Sequence, residues 1–153
     1  MSNIPKSQRK PTKIDFFIKA INLRQKTIEY IDQDFGVSKR LNADGTPYQQ
    51  YWIIVKLRDS IYDAIQDYVL CLTQANTIYI TNMYEYNARR KYMTQAIGDL
   101  EFVIQELQYA IRSFGVKPSK YTLLIEDMEE CIKSVKAWRK SDNAVKNKLQ
   151  GNV

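Results

Sequence analysis

The side chains able to do chemistry here are carboxylates, two cysteines and clustered cations, and none of the 153 residues is a histidine. That absence removes Ser-His and Cys-His nucleophile activation, imidazole metal ligands and an imidazole base near neutral pH. Glu126-Asp127 and Glu129-Glu130 put carboxylates side by side, but lysines are interleaved with them and the pattern reads as a solvated helical face. A di-metal bundle site would pair such acids with Glu-x-x-His. Cys71 and Cys131 fall in apolar stripes and read as small core residues. Two cysteines make no disulfide framework, so a cytoplasmic protein with reduced thiols is expected. No catalytic constellation, metal set or cofactor motif is legible, and the expectation is a protein that is not an enzyme.

The cations suggest binding instead. There are 23 Lys+Arg against 17 Asp+Glu, a formal charge of +6. They are unevenly placed: residues 1–13 carry Lys6, Arg9, Lys10 and Lys13 without an acid, and residues 133–153 carry six cations against Asp142 alone. The stretch between is net acidic. Arg89-Arg90-Lys91 adds a third cluster, and Lys133, Lys136 and Lys140 recur at helical spacing beside Arg139. Neutralising phosphates releases counterions and gives salt-dependent affinity. The expected phosphate contacts are therefore Lys10, Lys13, Arg89, Arg90, Lys91, Lys133, Lys136, Arg139 and Lys140. No zinc finger, RRM signature or GXXG loop reads bases, so binding to RNA or DNA should ignore sequence.

Proline and glycine divide the chain into the elements that must carry these groups. Pro5, Pro11, Pro47 and Pro118 all lie outside the periodic stretches. A first helix is predicted over residues 14–35, with Thr12 and Asp15 as a capping pair, Ile14, Phe17, Ile21, Ile28, Ile31 and Phe35 as its core face, and Gly36 as its stop. A second helix runs over residues 48–76. Residues 77–86 read as a connection into which helix two can run. A third helix covers residues 87–114 and ends at Gly115, and a fourth runs from a Ser119 cap to Lys140. Short connections between such helices predict an all-α, up-down-up-down antiparallel four-helix bundle over 14–140. A basic arm (1–13) and a basic tail (141–153) flank it. No apolar run approaches the roughly 20 residues of a membrane span, and residues 1–13 lack the apolar region of a signal peptide.

One bundle needs one apolar face per helix, yet three segments offer more. Phe16, Leu23 and Tyr30 recur every seven residues in the first, as do Val55, Tyr62 and Val69 in the second. Phe102 and Tyr109 stand on the outer face of the third, with Gly98 a turn earlier suggesting close helix contact. Burying each large apolar side chain is worth about 1.5–3 kcal/mol, and exposed patches of this kind mark partner surfaces. Homo-oligomerisation through these nine residues is expected.

The chain also resembles the accessory variability determinant (Avd) family of diversity-generating retroelements. The likeness starts at Lys56-Leu57-Arg58-Asp59 and Gln74-Ala75-Asn76. It continues through Arg89, Tyr92-Met93, Ala96, Leu100-Glu101, Leu107 and Ala110, then Tyr121, Leu124, Met128, Ile132 and Trp138-Arg139-Lys140. The family often has Gly-Gly before the tryptophan where this chain has Lys136-Ala137, and residues 1–13 and 37–50 are longer here. The resemblance implies a ring-like homopentamer of four-helix bundles that binds the element's reverse transcriptase and its template RNA or cDNA during mutagenic retrohoming. The alternatives are a ribosome-associated bundle of the rRNA intervening-sequence type, which typically carries Asn-Ile-Ala-Glu-Gly where this chain has Ile65-Gln66-Asp67-Tyr68-Val69, and a protein-interaction module without nucleic acid.

Overall fold

The computed structural model describes residues 13–33, 35, 44–46 and 51–151, with side chains of the first helix from Phe17 onward. Lys10, Thr12 and Gly36, and the side chains of Lys13 and Phe16, lie outside the described residues. Four helices carry the fold: α1 (Lys13–Asp32), α2 (Tyr51–Thr77), α3 (Met83–Phe114) and α4 (Thr122–Leu149), the last preceded by a 3-10 turn at Pro118–Lys120. The described residues contain no strand. Helix α1 packs on α2 and α4, α2 on α3, and α3 on α4, enclosing a single helical core.

The apolar periodicity of α2 and α3 decides what they bury. Leu57, Ile61, Ala64, Tyr68, Leu72 and Ala75 of α2, and Met93, Ala96, Ile97, Leu100, Ile104, Leu107 and Phe114 of α3, are all buried. Helix α3 starts earlier than its apolar pattern indicates. Asn82 is its N-cap, accepting from Glu85 N–H at 2.9 Å, while Glu85 Oε1 accepts from Thr81 N–H at 3.2 Å. This reciprocal capping assigns the end of the 77–86 connection to α3, not to an extension of α2. Gly115, at φ 62°, ends α3 in the left-handed region, as expected.

Helix α1 is rotated from its expected setting. Ala20, Leu23, Thr27, Ile31 and Phe35 are buried, whereas Ile21 is 56% exposed and Ile18 also faces solvent. Thr27 reaches the core because its hydroxyl donates to Leu23 O at 2.7 Å, satisfying an otherwise costly polar group. Tyr30 packs its ring 5.5 Å from that of buried Tyr121, with Phe35 6.3 Å away on the same partner. Those contacts fix the face that α1 turns inward.

Helix α4 buries Leu124, Met128, Cys131, Ile132 and Val135, as its pattern indicates. Ser119 does not cap it: Ser119 lies in the 3-10 turn, and Thr122 Oγ1 donates to Pro118 O at 3.0 Å instead. The helix also continues nine residues past Lys140, and Asp142 in this extension is buried. Both cysteines are free and buried. Among the described residues no helix is long and apolar enough to cross a membrane.

Candidate nucleic-acid interface

The first turns of α3 and the last turns of α4 bring together part of the cationic set. Arg89 is removed from it. Its Nε lies 3.1 Å from Asp142 Oδ2, and the two side chains are only 12% and 7% exposed. The guanidinium also sits 4.8 Å from the Trp138 ring centroid. Burial pulls the Arg89 pKa down and the Asp142 carboxylate pushes it back up. Arg89 is a structural cation of the α3–α4 contact, and the sequence expectation of a phosphate ligand fails at this position because its charge is neutralised inside the protein.

The next residue behaves differently. Arg90 Nη1 donates to Tyr86 Oη at 3.2 Å, and Tyr86 Oη donates to Asn143 Oδ1 at 3.2 Å. Lys146 Nζ stands 5.9 Å from the Tyr86 ring. Arg139 Nη1 donates to Thr94 Oγ1 at 3.2 Å. Asn87, Arg90, Lys91, Thr94 and Gln95 line a shallow depression of about 430 Å³ without an acidic residue in its wall. Lys133, Lys136 and Lys140 are exposed along α4. Lys133 meets Glu130 at 3.5 Å, an exposed i,i+3 pair worth well under about 1 kcal/mol. The structure thus joins Arg90 and Lys91 to Arg139 through Thr94 and withdraws Arg89, while the α4 lysines stand exposed and line no part of this depression. Sequence reasoning missed Asn87, Thr94 and Gln95, although Asn87, Lys91 and Thr94 follow the 4, 3 spacing of one helical face.

The residues expected to form an oligomer interface divide in two. Leu23 is 3% exposed and belongs to the core, while Tyr30 and Val69 pack partly against it. Val55 is half-buried. Tyr62, Phe102 and Tyr109 are 39%, 44% and 43% exposed. A Cβ added at Gly98 would meet nothing within 4 Å, so no close helix contact among the described residues explains that glycine.

A second cluster, not anticipated from the sequence, lies where α2 meets α3. Asp67, Cys71 and Asp99 place their ligand-type atoms within 4.8 Å of one another. Cys71 Sγ donates to Asp67 Oδ2 at 3.5 Å, and Gln95 Nε2 donates to the same oxygen at 2.9 Å. Hydrogen bonds from Asp99 and Gln95 lower the Asp67 pKa. Burial, with Asp67 beside it, raises Asp99 to about 8. Two carboxylates and a thiol are the residues here that could hold a zinc-like cation. The thiol would have to lose its proton first, and burial beside the carboxylates pushes Cys71 up to about 12. A proton suits this cluster better than a metal.

The described residues define the class as all-helical, with four principal helices. No family model, curated protein or solved structure matches the chain.

Proposed function

We propose that this chain is a non-enzymatic, self-associating accessory protein that binds the phosphate backbone of RNA or cDNA. In this reading four helices run up-down-up-down, copies meet through the outer apolar face of α2 and α3, and the subunits close into a ring. The pairing of Arg89 with Asp142 and of Thr94 with Arg139 supports opposite directions for α3 and α4. The Avd resemblance supports a partner reverse transcriptase and a role in mutagenic retrohoming. The observation that carries the nucleic-acid part is the acid-free depression lined by Arg90 and Lys91 and joined to Arg139 through Thr94. In an oligomer each such surface repeats, and weak phosphate contacts gain avidity.

Fluorescence anisotropy of labelled RNA across a salt series tests the reading. Log affinity should fall linearly with log salt, similarly for unrelated sequences. Absence of salt-dependent binding by the assembled protein would reject a nucleic-acid role and leave the interaction module. Co-purification with a reverse transcriptase encoded beside it would separate the retroelement role from the ribosomal one.

A further inference from the structure

The carboxyl pair between α2 and α3 lies behind Gln95, which lines the depression and donates to Asp67. Asp67 on α2 and Asp99 on α3 lie, with Cys71, in a cluster whose ligand-type atoms are within 4.8 Å of one another. Two negative charges this close and partly buried oppose ionising together. Asp99 Oδ2 is buried, and no group among the described residues donates to it. A proton on Asp99 would supply that missing hydrogen bond, with Asp67 as acceptor. Gln95 already donates to Asp67, which favours keeping the charge on that partner.

Among the described residues, Asp67 supplies the charge that acts on Asp99. From α2, Asp67 and Cys71 are the titratable groups at the cluster, and burial keeps Cys71 a thiol. Along α3, Glu106 lies two turns on, with its own pKa raised by burial. Among the described residues, neither α1 nor α4 contributes a charge that acts on Asp99.

We propose that Asp67 and Asp99 hold one proton between them at neutral pH, and that this proton makes the α2–α3 contact acid-responsive in a chain without histidine. The folded pair binds the proton more tightly than the unfolded chain does. Its contribution to stability is complete below the ordinary aspartate value of 3.8, falls as pH rises, and is gone once pH passes about 8. Asp67, shifted the other way, acts only near and below 3.8. With 0 histidines, the other side chains that titrate between these limits are glutamates, of which burial raises Glu106.

Urea denaturation of the full chain at one protein concentration, from about pH 5.5 to about pH 7.5, reads the effect. One proton sets a limit of about tenfold in the folding equilibrium constant per pH unit. The wild type should lose stability several-fold per unit, Asp99→Asn should show no such slope, and Glu106→Gln should retain it. A flat wild-type profile, or an undiminished slope in Asp99→Asn, overturns the proposal. So does a slope abolished by EDTA, which would assign the cluster to a bound cation. Should Asp99→Asn fail to fold, carbon-13 NMR of wild-type aspartate carboxyls decides. One midpoint near 8 is expected, and titration of every carboxyl below about 5 would overturn the proposal.

Discussion

Arg89 and Asp142 form an ion pair of 3.1 Å, with one partner in the second turn of α3 and the other beyond the predicted end of α4. The pair anchors the extension of α4 beyond Lys140 against α3. Tyr86 reinforces it by donating to Asn143 one position along.

Removing one partner leaves the other charge buried and alone, which costs about 3–5 kcal/mol in comparable sites. Asp142→Ala should therefore destabilise the protein by about 3 kcal/mol or more in urea denaturation. Asp127→Ala, which breaks the exposed 3.1 Å pair with Lys26, should cost under about 1 kcal/mol. Equal costs for the two variants would contradict a structural role for Arg89.

The same pairing separates adjacent arginines in function. Arg90→Glu with Lys91→Glu should weaken RNA binding about tenfold or more at low salt, through loss and reversal of charge at the depression. Lys136→Glu with Lys140→Glu should weaken it across all sequences and flatten the salt dependence by about one unit of slope per lost phosphate contact. Arg89→Gln combined with Asp142→Asn should leave affinity nearly unchanged wherever the variant is folded. Anisotropy titrations on these three double variants discriminate, and loss of affinity only in the last would reverse the assignment.

Much of this architecture was legible because α2 and α3 repeat large apolar residues with few interruptions, which fixes both helix and buried face. Helix α1 was not, because Ile14, Phe17, Ile21 and Ile28 compete with Phe16, Leu23 and Tyr30 for the same role. Tyr121, far along the chain, decides between them by stacking with Tyr30 and Phe35. The end of α4 was hidden for another reason: residues 141–149 are mostly polar, and Asp142 and Asn143 among them meet α3. Arg89 and Arg90 are indistinguishable as neighbours in a basic run, yet helical rotation carries one inside. The Asp67–Asp99 pair needs the packing of two helices and leaves no local signature.

The setting of α1 makes a sharp mutational contrast. Leu23→Ala should cost about 2–5 kcal/mol, since a buried leucine loses its contacts and leaves a cavity. Ile21→Ala, at a position 56% exposed, should change the stability of the isolated subunit by less than about 1 kcal/mol. Urea midpoints for the two variants check this, and a reversed order would restore the face that spacing alone suggested.

Assembly is tested on α3, where Phe102 and Tyr109 share the outer face with Gly98. Phe102 is 44% exposed, so Phe102→Asp should leave helicity by circular dichroism unchanged. If copies meet there, a buried carboxylate without a partner would be costly, and sedimentation should shift towards the 18.0 kDa subunit. Gly98→Ala provides the complementary reading. In the isolated subunit the added methyl meets open space and should stabilise the helix by about 1 kcal/mol. In an assembly whose helices approach at Gly98, the same methyl should weaken association while subunit stability rises. Wild-type sedimentation as a single subunit at micromolar concentration would reject the outer face as a self-association surface, and an oligomer unaffected by Phe102→Asp would move the interface elsewhere.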